Sequence, residues 1–135
     1  MSDTATQTVS HPSRAATIIG WVLAIPPCGL LLFSAFMKFN LPPEAGEQMS
    51  KIGWSAGVMP KLGVVEAVST LLYLFPKTAV LGAILLTGYM GGAIATHLRV
   101  EEPFIMQSLL GVVLWLGLFL RMPRLRALIP FVTRG

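Results

Sequence analysis

Uncharged apolar runs dominate the chain, and charges fall at their ends. Residues 15–37 form a run of 23 between Arg14 and Lys38; residues 78–96 form a run of 19 between Lys77 and His97; residues 103–120 form a run of 18 between Glu102 and Arg121. At 1.5 Å per residue each crosses, or nearly crosses, a hydrocarbon core of about 30 Å as a helix. A fourth run, residues 62–75, has 14 residues and contains Glu66. It reaches spanning length when Val58, Met59 and Pro60 join it, with Lys61 and Lys77 snorkelling to the two interfaces. The runs lack the alternation of barrel strands, and within lipid every backbone group needs an internal partner, so all four are read as helices. The predicted spans are 15–37, 58–75, 78–97 and 103–121, in a single membrane domain. The fold class is all-α, an integral membrane four-helix bundle.

Pro26 and Pro27 lie near the middle of the first run and predict a kink there. That run is too long for the apolar region of a cleaved signal peptide, and no small-x-small site follows it. Four spans put both ends on one side. That side carries Arg14, Lys77, Arg121, Arg124, Arg126 and Arg134, six basic residues against four (Lys38, Lys51, Lys61 and Arg99) on the other. The excess places both termini in the cytoplasm of a cell whose inner (plasma) membrane holds the protein. The arginines of the tail, 122–135, suit anionic headgroups at about 1 kcal/mol per basic residue. Residues 38–57 form the outer loop, in which Met49, Ile52 and Trp54 predict a short interfacial helix.

Composition narrows the class further. Charged residues make up 12% of the chain and hydrophobic residues 54%, with a mean hydropathy of +0.72. Ordinary soluble domains carry roughly 25% charged residues, and a disordered chain lacks this much apolar content. Cys28 is the one cysteine, so an internal disulfide is excluded. The net charge of +4 comes from scattered basic residues, so nucleic acid is not an expected partner. No nucleophile motif, phosphate loop or dinucleotide fingerprint is present, no ligand set has metal spacing, and His11 and His97 are the only histidines. Gly88, Gly92 and Thr96 recur every fourth residue beside Gly91 and Ala95, which predicts a helix-packing face, with Gly20, Ala24 and Gly111 offering partner surfaces.

Polar residues at membrane depth are the candidate site. Glu66 is followed by Ser69, Thr70 and Tyr73 at i+3, i+4 and i+7, all on one helix face. A lipid-facing stripe does not carry four polar side chains, so this face is predicted to point inward. Glu66 reads either as a proton-handling or ligand-binding carboxylate or as a structural acid paired with Lys38 or Lys61. Lys38 reads as a snorkelling residue or as a counter-ion for Glu66 or an anionic substrate. His97 and Arg99 close the third span, with Tyr89 eight residues before His97 on the same face, and Gln107 opens the fourth. Lys38, Glu66, His97, Arg99 and Gln107 thus converge from four helices near one level. The candidate ligand-binding set is Lys38, Glu66, Tyr73, Tyr89, His97, Arg99 and Gln107, with Glu66 and His97 the candidate catalytic groups.

These residues carry a resemblance. Phe33-Ser-Ala-Phe-Met-Lys38-Phe at the end of the first span resembles the DoxX-like family of small four-span bacterial membrane proteins. So do Pro60-Lys-Leu-Gly63-x-x-Glu66, Tyr89-Met-Gly-Gly-Ala-Ile-Ala-Thr-His97-Leu-Arg99, and Pro103 before Arg121, over residues of about 15–123. The resemblance implies a four-helix membrane bundle and a link to redox chemistry, since the family takes its name from a membrane subunit of a thiosulfate:quinone oxidoreductase. A chain with one cysteine does not fit a thiol–disulfide mechanism.

Three functions follow as expectations. The first is a redox or quinone-associated membrane subunit, with quinone entering between helices and Glu66 or His97 exchanging protons with it; a redox partner protein or a homo-oligomer in the bilayer fits this reading. The second is a non-enzymatic scaffold, stress-linked component or small-solute carrier. The third is a membrane-embedded enzyme acting on a small lipophilic substrate, with Glu66 as acid and base.

Overall fold

The computed structural model describes residues 13–55 and 57–132, and every regular element among them is helical. The predicted N-terminal segment with His11, and Arg134 of the tail, lie outside the described residues. Six helices follow in order: α1 (Arg14–Phe39), α2 (Pro43–Lys51), α3 (Met59–Leu74), α4 (Ala79–Arg99), α5 (Ile105–Arg121) and α6 (Pro123–Arg126). Ser13 starts α1, its hydroxyl accepting from the Ala16 N–H at 3.1 Å. Pro60 sits in the first turn of α3, where a missing N–H costs nothing, and Pro76 follows its end. Pro26 and Pro27 lie within α1, which runs on through both as one helix.

The four longer helices close a ring in which α1 packs against α3 and α5, and α4 packs against the same two. Its core holds Ala24, Cys28, Leu31, Tyr73, Leu86, Leu114 and Leu118. The outside is as apolar as the inside: Ile18, Val22, Ile25, Phe33, Phe36, Leu71, Ile84 and Val112 are each more than half exposed. Water would penalise that surface, whereas lipid tails match it. The 26 residues of α1 and the 21 of α4 are long and apolar enough to cross a membrane. The apolar α5 is shorter, at 17 residues, and α3 has 16.

Glycines set the close contacts; Gly20, beside Ala24, is one of those expected, whereas the glycine row on α4 is not among them. A Cβ at Gly20 would stand 2.7 Å from the Gly117 carbonyl, and one at Gly117 would stand 2.9 Å from the Gly20 carbonyl, so α1 and α5 touch backbone to backbone there. A Cβ at Gly82 would run into the backbone of Tyr73 and Leu72, which fixes the α3–α4 approach. In contrast, nothing lies within 4 Å of a Cβ placed at Gly88, Gly91, Gly92 or Gly111. The predicted packing row on α4 is thus on a face that meets no other helix. Spacing marks such a row but not the direction in which it points.

Polar struts add to this packing. Tyr73 crosses the ring from α3 and donates its hydroxyl hydrogen to the Leu114 carbonyl of α5. Trp115 Nε1 donates to Thr87 Oγ1 at 2.7 Å, tying α5 to α4. Arg121 Nε donates to the Gly117 carbonyl at 3.1 Å, and its guanidinium lies 3.9 Å from the centre of the Trp21 ring. Beyond it, α6 folds back so that Arg126 donates to the Phe119 and Leu120 carbonyls at 3.0 and 2.7 Å, satisfying the open end of α5.

The two glycine classes separate experimentally. Gly82→Ala is expected to lower stability by about 1–3 kcal/mol through overpacking. Gly92→Ala is expected to be neutral, or to raise stability by about 0.5–1 kcal/mol, because alanine loses less entropy in a helix. Thermal melts of the two variants in detergent check the contrast.

Candidate functional site

Gly63 brings the site together. It stands three residues before Glu66, and a Cβ there would be 3.1 Å from the Ala35 carbonyl and 3.2 Å from Lys38 Cβ. With no side chain at that position, α1 lies close enough to α3 for Lys38 to reach Glu66. Lys38 Nζ sits 2.7 Å from Glu66 Oε2 and donates a second hydrogen bond to Ser34 Oγ at 2.7 Å. Tyr89 of α4 donates its hydroxyl to the same Glu66 oxygen at 3.2 Å. The Glu66 side chain is 2% exposed and that of Lys38 20%. A carboxylate this buried is tolerable because a cation and a hydroxyl both meet it.

A second cluster sits further along α4. His97 lies eight residues beyond Tyr89, about 12 Å of helix rise. Its Nδ1 donates to the Ala93 carbonyl at 2.8 Å, which leaves Nε2 to accept from Gln107 Nε2 of α5 at 3.2 Å. Glu102 Oε2 lies 3.9 Å from the same ring nitrogen.

Both clusters open onto one cavity of about 580 Å³. All four long helices line it, through Leu31, Glu66, Tyr89, His97, Gln107 and Leu110 among others. Its roof is the predicted interfacial segment: Met49 of α2, and Ile52 and Trp54 just after it. Gly88, Gly92 and Ala93 give α4 a low wall on the cavity, which is where part of the misassigned small-residue row belongs.

Five of the residues singled out from sequence therefore meet at the cavity: Lys38, Glu66, Tyr89, His97 and Gln107. Two stand elsewhere. Tyr73 is buried in the core, spent on Leu114, because two turns of helix carry it away from Glu66 toward the Arg121 end. Arg99 is exposed and lies against the turn at Gly53, outside the cavity lining. Lys61 is likewise exposed, and Lys38 is the lysine that pairs with Glu66. Sequence reasoning passed over Ser34 and Glu102. The spacing of Ser34, four residues before Lys38 on one helix face, was the signal available. Glu102 had none, since its approach to His97 depends on the turn after α4, where Glu102 N–H bonds the His97 carbonyl at 2.9 Å. Among the described residues no group of three or more His, Cys, Asp or Glu could hold a metal ion.

The arrangement is a mostly apolar chamber with an ion pair and a phenol on one wall and an imidazole–carboxamide pair nearer the roof. It can receive a small lipophilic molecule, orient its oxygens and offer proton acceptors at two depths.

Comparison with known proteins places this architecture. No curated protein and no solved structure matches the chain. Residues 22–120 match the family model described as the DoxX-like family, a stretch that takes in most of α1 and all of α2, α3 and α4. It holds every residue of the two polar clusters. This all-helical membrane protein belongs to the DoxX-like family.

Proposed function

We propose that the chain is a four-span inner-membrane protein that holds a small lipophilic ligand, a quinone, between its helices, as the membrane subunit of a redox system. The observation that carries this reading is the cavity of about 580 Å³ with a buried carboxylate in its wall. That volume lies within the range of small-molecule sites, which pair apolar walls with a few convergent polar groups. Leu30, Leu31, Met59, Leu62 and Leu110 suit a ring and its tail, while Lys38, Glu66 and Tyr89 suit its oxygens. In this reading Lys38 donates to a ligand oxygen and Glu66 takes or returns a proton beside it. His97, nearer the roof, relays protons toward the outer side. Electrons pass to a partner protein, because Cys28, the one thiol, is buried in the core outside the cavity lining.

The membrane placement belongs to the same proposal. α1, α3, α4 and α5 all cross, the loop 38–57 lies outside, and the tail 122–135 lies on the cytoplasmic surface with both termini. α3 is short for a span, and Lys61 in its first turn and Lys77 beyond its end reach the interfaces.

A second reading has its own support. The 2.7 Å Lys38–Glu66 contact, with Ser34 beside it, is also what a structural ion pair in a non-enzymatic scaffold looks like.

Three measurements test these statements. Protein purified from native membranes is expected to carry or bind a quinone, with at least tenfold weaker binding in Glu66→Gln; wild-type protein that neither retains nor binds quinone contradicts the ligand reading. Lys38→Met is expected to destabilise the fold by about 3 kcal/mol or more, by leaving a buried charge unpaired, and adding Glu66→Gln is expected to recover most of that loss. If the recovered double variant binds quinone as wild type does, the pair is structural and the ligand is held by other groups of the cavity; the scaffold reading stands only if wild type binds no quinone. Alkaline phosphatase fused within the loop 38–57 is expected to be active and the same enzyme fused after α6 inactive, with the reverse pattern inverting the topology.

A further inference from the structure

Glu66 uses only half of its carboxylate. Both of its hydrogen bonds, from Lys38 and from Tyr89, fall on Oε2. No described residue donates to Oε1; the nearby Thr70 hydroxyl is spent on the Glu66 backbone carbonyl at 2.7 Å. Among the described residues, the polar side-chain atoms that are sealed in without a partner are Gln107 Oε1 and Arg121 Nη2, not this oxygen. Glu66 is one of the residues lining the cavity, and Oε1 is its carboxylate oxygen without a described donor. Lys38 matches it. Two of the three ammonium hydrogens are held by Ser34 and Glu66, and the third has no hydrogen-bond acceptor among the described residues, the ammonium lying 5.8 Å from the centre of the Tyr89 ring.

An unpartnered acceptor next to a free donor fits a hydroxyl better than a carbonyl. A hydroxyl gives its hydrogen to Oε1 and takes the third lysine hydrogen on its own oxygen. A carbonyl or ether oxygen can take the lysine hydrogen, but it sets lone pairs against Oε1 and leaves that oxygen without a donor. Buried polar groups left unpaired in this way are the strongest source of discrimination a site has. The ring that carries the hydroxyl has room, since nothing stands within 4 Å of a Cβ at Gly88 or Gly92 on the α4 wall.

We propose that Glu66 Oε1 is reserved for a ligand hydroxyl, so that the cavity selects the hydroxyl form of a lipophilic ring compound over the corresponding carbonyl or ether. The inference rests on the cavity being a ligand site, and it adds which oxidation or substitution state that site prefers.

The test uses full-length protein in lipid nanodiscs and a pair of redox-inert probes, 4-decylphenol and its methyl ether 4-decylanisole, with affinity expressed per mole fraction in the bilayer. Wild-type protein is expected to bind the phenol at least tenfold more tightly than the ether. Glu66→Gln reverses the wall: its amide oxygen turns to the two donors, Lys38 and Tyr89, and its NH2 group faces the cavity. The preference for the phenol is then expected to fall below threefold. Equal binding of the two probes to wild type overturns this inference while leaving the cavity a ligand site. Binding of neither probe overturns the ligand reading as well. A phenol preference that survives intact in a folded Glu66→Gln variant also overturns it, by placing the selectivity elsewhere. The wild-type comparison decides the matter alone if the variant does not fold.

Discussion

Taking a carboxylate out of water costs several kcal/mol unless a cation and hydrogen-bond donors are waiting for it. Glu66 is 1% exposed in the middle of α3, and the structure around it is arranged to meet that cost. Lys38 lies at the far end of α1 and must fold back into the protein to touch it. Gly63 lets α1 come close enough, and Ser34 holds the lysine from below. Tyr89 brings in α4 as the third helix on the same oxygen. One buried charge thus constrains three helices, and the fourth, α5, joins through Gln107 at the shared cavity.

The two ends of the protein differ as a consequence. Toward Arg121 the helices meet backbone to backbone, at Gly20 with Gly117 and at Gly82 with Tyr73, and little space is left. Arg121 itself is held by the Gly117 carbonyl and the Trp21 ring. Toward Lys38 the α4 glycines find no partner helix, and the space beside them is the cavity. Apart from Gly63, which brings α1 onto α3 at the Lys38 end, the same residue type closes one end and leaves the other open, according to whether a neighbouring backbone fills the space it provides. Trp54, Ile52 and Met49 then cover the open end with apolar surface suited to a membrane interface.

Much of this was legible in the sequence. Long uncharged runs bounded by Arg14, Lys38, Lys77 and Arg121 announce the helices, because lipid leaves a polar backbone no alternative. Glu66, Lys38 and His97 stand out for a similar reason: such groups are costly at that depth and call for partners. Three kinds of detail were out of reach. Helical periodicity places Tyr73 on the Glu66 face, yet periodicity measures angle, not depth, and two turns along the helix Tyr73 belongs to the core instead. The row Gly88, Gly92 and Thr96 has the spacing of a packing face, yet whether a glycine receives a neighbour or bounds a void depends on where the other helices lie. The contact between Glu102 and His97 rests on a turn that includes Glu101 at φ 57°, a conformation that neither spacing nor residue type signals for a glutamate.

The central claim is the direct contact of Lys38 with Glu66 in the interior, and solid-state NMR in lipid bilayers measures it without a ligand or an activity. With 15N at the lysine side chains and 13C at the glutamate carboxyls, and with assignments fixed by Lys38→Met and Glu66→Gln, the dipolar coupling between Lys38 Nζ and Glu66 Cδ reports their separation. An N···O distance of 2.7 Å predicts strong dephasing that disappears in either variant. No measurable coupling in the bilayer-embedded protein would mean that Glu66 turns away from α1, and the site built around it would not exist.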